Sequence, residues 1–143
     1  MPFLDHNRAL SRYPSNDKVR LEYQKGKILI WVDFPIAMPD SEALGIAEEM
    51  LPAAWGRMKA AVEMAEEASR ATIPDFWRVQ DMSGLSGERL AVWSVAIDAA
   101  GQSVEYFVSQ NHDLSYEPDL PEDHGAFVTQ SRSGVTVKVV GSA

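Results

Sequence analysis

The sequence predicts an α+β fold: a single domain, residues 1–143, in which a mostly antiparallel sheet of about six strands carries one long, Pro-kinked helix packed on one face. Three observations predict it. Asp40 to Arg70 is the one stretch long and periodic enough for a substantial helix. The segments on either side alternate apolar and polar residues with period two, as half-buried strands do. Turn residues between those segments join neighbouring strands as hairpins.

Within the helical stretch Leu44, Ala47, Leu51, Trp55, Met58, Val62 and Ala65 recur at steps of three and four, which sets them on one face. Glu48, Glu49, Lys59, Glu63, Glu66 and Glu67 fall largely elsewhere, so one side is expected to pack and the other to stay wet. Asp40, after Pro39, is placed to cap the first turn, and Glu42 adds negative charge at the positive helix end. Pro52 interrupts the pattern, because it has no N–H for the carbonyl of Glu48 and its ring presses on that carbonyl. A kink near Met50 follows, or two helices with Pro52 in the first turn of the second. Ile73 precedes Pro74 and is biased to extended backbone, which stops the helix.

Residues 1–18 lack sustained periodicity and read as an N-terminal arm or short helix. Val19, Leu21 and Tyr23 begin a strand, Gly26 lies in a hairpin turn, and Ile28 to Phe34 is apolar on both faces, the mark of a central strand. Beyond the helix, Pro74 to Glu88 is a turn-rich connection. Leu90 to Asp98 reads as a strand with Trp93, Val95 and Ile97 sharing a face, and it returns through Asp98–Gly101 into a strand around Val104, Tyr106 and Val108. Asn111 to Gly125 is a polar loop, and a last pair, Ala126 to Gln130 and Val135 to Val140, closes the chain.

A chain of this length can bury roughly 70% of its unfolded surface, so one core suffices. With 45% hydrophobic and 24% charged residues it has a globular composition. It has no cysteine, which excludes disulfides, thiolate nucleophiles and cysteine-built metal sites and suits a reducing compartment. The 21 acidic residues against 13 Lys and Arg give a net charge of −8, which repels phosphate backbones and disfavours nucleic acid as a partner while suiting a basic protein. The first residues carry no signal-peptide pattern and the longest apolar run, Ile28 to Val32, is too short to span a bilayer. A cytoplasmic protein with no membrane partner is expected.

His112 and His124 stand among Asp113, Glu117, Asp119, Glu122 and Asp123, a set that could serve as general base or oxygen-rich metal site. The spacing matches neither a helix-borne zinc motif nor a calcium loop, and charge runs of this kind usually form solvated or partner-facing surface. His124 reads as a structural residue where Gly125 turns the chain. Ser83 to Gly87 fails the GxSxG spacing of a nucleophile elbow, and no phosphate-cradling glycine pattern occurs. No catalytic residue, metal or cofactor is therefore assigned. Trp55 and Trp93 fall on apolar periodicities and read as core, Trp31 as core or anchor, whereas Trp77, beside Phe76 in a connection, is the better interface anchor.

The stretch IDAAGQSVEYFV, residues 97–108, followed by DLPEDHGAFVTQSRSGVTVKVVG, residues 119–141, resembles small bacterial domains of unknown function of the immunity-protein kind. In these a hairpin leads through an acidic loop to a His/Gly pair and a final hairpin ending in Gly. Their usual Gly-His order is reversed here as His124-Gly125, and no catalytic residue carries over. The resemblance covers about Val19 to Gly141 and implies an α+β inhibitor that binds and neutralises a bacterial toxin.

The leading expectation is thus a non-enzymatic binding protein, monomer or homodimer, whose partner is a basic toxin domain met by Asp113, Glu117, Asp119, Glu122, Asp123 and Trp77. Two alternatives stand beside it. One is a structural or accessory subunit of a bacterial or phage assembly, associating through the edge of Val135 to Val140. The other is a small hydrolase or metal-dependent enzyme built on His112, His124 and the loop carboxylates.

Overall fold

A computed structural model describes residues 4, 11–15, 17–72, 90–110 and 125–140. Along them run strands β1 (Ser11–Ser15), β2 (Lys18–Lys25) and β3 (Ile28–Pro35), helices α1 (Asp40–Gly56) and α2 (Met58–Thr72), and strands β4 (Leu90–Asp98), β5 (Ser103–Gln110), β6 (Gly125–Ser131) and β7 (Gly134–Val140). The strands form one sheet whose spatial order is the chain order. Neighbours are antiparallel except β3 and β4, which are parallel in the register Leu29↔Ser94 to Asp33↔Asp98. Parallel neighbours cannot be joined by a tight turn, and the crossover between them carries both helices.

The class remains broadly α+β, but the expected architecture needs correction in three respects. The sheet is mixed and has seven strands rather than about six, because residues 11–15, expected in an arm or short helix, pair with β2 as an edge strand. The single long helix is two. And the interruption is not where Pro52 predicts it: α1 runs through Pro52 and ends at Gly56. Pro52 is exposed, so the carbonyl that loses its donor lies on the solvent side, where the loss costs least.

The break falls at Arg57 (φ −99°, ψ 5°). There the Arg57 amide donates to the Ala54 carbonyl at 3.2 Å, and the buried Tyr106 hydroxyl donates to the same oxygen at 2.7 Å. A carbonyl has two lone pairs, so both are taken and the helical ladder cannot pass through Ala54. At the other end of α1 the cap position is Pro39, with no side-chain cap bond; Asp40 and Glu42 act instead through their charge in the first turn.

One face of the sheet and the inner faces of both helices enclose the core. Val19, Leu21, Ile30, Val32, Phe34, Val95, Ile97, Tyr106 and Val108 meet Ala43, Ala47, Leu51, Ala54, Ala61 and Ala65. Alanine dominates the helical side, which lets α1 and α2 lie close on the β-branched sheet. Leu4 also joins the core, and its amide donates to Glu48 Oε1 at 2.9 Å, which ties that residue to α1. No helix among the described residues is long and apolar enough to cross a membrane.

Turns fix the registers. Lys25 pairs with Ile28 around Gly26, whose φ of 62° is the left-handed first position that a II′-type hairpin demands. Gly125 has a different role, a close approach: a Cβ there would sit 2.6 Å from a ring carbon of Phe107. Gly125→Ala should therefore destabilise the fold by about 1–3 kcal/mol, the usual cost of overpacking, read as a shift in the urea midpoint with unchanged slope.

The Tyr106 contact makes a second prediction. Burial pushes its phenol up from the ordinary 10.0, with Arg57 partly offsetting, and burial followed by the charges of Asp40 and Glu48 raises Tyr23. A raised phenol means that the folded chain holds its proton more tightly than the unfolded one. That stability is whole below the unfolded value and is lost as pH climbs through the folded one. Unfolding free energy should thus fall above about pH 10, and Tyr106→Phe should flatten the decline. At neutral pH the same change should cost about 1 kcal/mol through the lost hydrogen bond.

Candidate partner-binding face

Since both helices lie on one side of the sheet, the other side is left without a covering layer among the described elements. The strand period then decides what stands there: Arg20 and Glu22 on β2, Leu29, Trp31 and Asp33 on β3, Ser94, Ala96 and Asp98 on β4, Glu105 and Phe107 on β5, Phe127 and Thr129 on β6, Thr136 and Lys138 on β7.

Trp93 reaches this face by a different route. The β4–β5 register shifts between Val92 and Ser94, a β-bulge that adds one residue and breaks the alternation. Trp93 is therefore 38% exposed while Val95 and Ile97 are fully buried, and the expected sharing of a face by these three is overturned. Its ring meets Phe107 edge-on, 6.5 Å between centroids at 79°, and Phe107 leans on Phe127 at 4.9 Å and 39°. Both are favourable aromatic geometries.

A second cluster holds Trp31. Its Nε1 donates to Glu22 Oε2 at 2.8 Å, and the Arg20 guanidinium lies 4.4 Å from the ring centroid. Arg20 in turn donates twice to Asp33, Nε to Oδ1 at 2.7 Å and Nη2 to Oδ2 at 2.8 Å. These hydrogen bonds to Asp33 chiefly raise the Arg20 pKa, opposed by desolvation and helped by the charges of Asp33, Glu105 and Glu22. The pair is partly exposed, so its worth lies in geometry more than in stability. It fixes the indole at one end and the bidentate fork at the other.

Between the two clusters sit Ser94 and Ala96, small and buried, in register with Phe107 and Trp31. Beside Phe127 a cleft of about 380 Å³ is lined by Glu105, Thr129, Thr136 and Lys138. The face itself is nearly balanced in charge, with Glu22, Asp33, Asp98 and Glu105 against Lys18, Arg20 and Lys138. The acidic field of the molecule comes from the chain as a whole. Among the described residues no three carboxylates or other donors come together as a metal-ligand set.

The acids singled out from sequence, Asp113, Glu117, Asp119, Glu122 and Asp123, together with Trp77, His112 and His124, lie outside the described residues. What sequence reasoning missed is the face as a unit. The signal was present in Phe107 and Phe127, large aromatics out of phase with the core residues Tyr106 and Val128. No family model, curated protein or solved structure matches this chain.

Proposed function

We propose that this chain is a non-enzymatic protein-binding module that docks a basic protein partner on the open face of its sheet, and that its class is the immunity-type inhibitor of a bacterial toxin. The observation that carries the reading is the aromatic row Trp31, Trp93, Phe107 and Phe127 spread over four adjacent strands. Aromatic side chains give large contact area at little entropic cost, and these are already held by ring contacts and by the Trp31–Glu22 bond. The net charge of −8 would speed encounter with a cationic partner.

Coexpression with basic toxin candidates encoded beside this gene tests it. Protection of the cells together with a complex that survives purification supports the reading. Failure to protect against any of them removes the inhibitor class.

One observation favours a second reading, a structural subunit. Of the two sheet edges, β1 is short and carries Pro14, which blunts it, whereas β7 is a run of GVTVKVV with Lys138 as its one charge. Self-association along β7 would appear as a dimer or larger species in sizing chromatography with light scattering.

A further inference from the structure

On the helical side, away from the open face, the α1–α2 junction leaves a notch over β5, β6 and the start of β7. Ala53, Ala54, Ala60 and Ala61 stand where larger side chains would fill it. It has two lobes that share Arg57 and Gln130. The first, about 230 Å³, has walls of Ala60, Ala61, Met64, Val128 and Val135. The second, about 250 Å³, is bordered by Gln102, Ser131 and Arg132. Met64 is 38% and Val135 45% exposed, two of the few large apolar side chains left uncovered among the described residues.

The charge here runs against the rest of the molecule. No Asp or Glu among the described residues lines either lobe of a chain whose net charge is −8. Arg132 is braced at the rim by its Nη2 donating to Gln102 Oε1 at 2.7 Å. Arg57 has no ion pair among the described residues and stands at the helix break, between the apolar lobe and the polar one.

We infer that this notch binds a small amphipathic carboxylate, an unbranched apolar chain ending in one carboxylate group. The chain lies in the Ala60–Val135 lobe and covers Met64 and Val135, while the carboxylate meets Arg57 in the two-pronged geometry a guanidinium offers. The apolar lobe, about 230 Å³, has room for a short or medium chain and not for a long one.

The experiment is a titration of the intact protein with sodium octanoate, followed by isothermal calorimetry and by amide chemical shifts. Expected are saturable binding and shifts at Ala60, Ala61, Gln130 and Val135. Octanol, of equal length but uncharged, should bind at least about tenfold more weakly, and R57Q should weaken octanoate by a similar factor, as loss of a charge-assisted hydrogen bond does. Ala60 is exposed, so A60F should fill the lobe without disturbing the core and abolish binding. Absence of saturation, octanol binding as tightly as octanoate, or A60F binding like the parent would each overturn the inference. Should R57Q fail to fold, R57K, which keeps the charge but not the two-pronged fork, is measured in its place: weakened octanoate binding supports the site and parental affinity overturns it.

Discussion

Leu51→Ala should lower the unfolding free energy by about 2–5 kcal/mol, whereas Leu44→Ala should cost roughly half as much or less. Both leucines lie on α1, and periodicity alone puts them on one stripe. The structure separates them: Leu51 is fully buried beneath the helix, and Leu44 packs only partly against the core. Removing the buried side chain forfeits its transfer free energy and leaves a void that the surrounding core fills only in part. A domain has only about 5–15 kcal/mol of net stability, so Leu51→Ala can take a third of it. Urea unfolding of the two variants, followed by far-ultraviolet circular dichroism, checks the ratio. Equal losses would mean that Leu44 and Leu51 share the inner face of α1 equally.

Trp93→Ala should weaken partner binding by at least about 30-fold, the loss typical of a central aromatic anchor, and lower the unfolding midpoint by less than truncation of a fully buried side chain does. The asymmetry follows from where the ring is. It is 38% exposed and held by Phe107 at its edge, so the folded chain loses less packing without it than at a core position, while an interface loses its largest contact. Phe107→Ala is the useful contrast, because that ring also covers Gly125 and touches Phe127, so it should reduce both stability and affinity. Affinity would be measured by calorimetry against the partner found by coexpression. A Trp93→Ala protein that binds as tightly as the parent would move the interface off this face.

Much of the architecture was legible because local chemistry decided it. Gly26 marks the β2–β3 hairpin, Asp98 to Gly101 the β4–β5 turn, and Ser131 to Gly134 the last one, each from turn residues a few positions apart. What was not legible depends on partners distant in sequence. The Tyr106 hydroxyl reaches Ala54 across the core at the helix break, which falls at Arg57 and not at Pro52, and nothing within either segment announces that contact. The bulge at Trp93 costs only one residue of register, yet that residue decides whether an indole is core or surface. The parallel pairing of β3 with β4 is likewise set by the crossover and not by the composition of either strand. The candidate face was half legible: the out-of-phase aromatics could be read, but not that both helices would settle on the opposite side.

The one parallel seam has a consequence for how this chain assembles. On its near side β1 to β3 form a meander from nearby residues, and on its far side β4 to β7 form another. Their union requires closing a long stretch of backbone before any contact rewards it, the kind of step that sets the pace for proteins of high contact order. The meeting of the two halves across β3 and β4 is therefore expected to be the slowest event in folding, so that truncating Val32 or Ile97 at the seam should slow refolding more than truncating Val19 on β2, away from the seam.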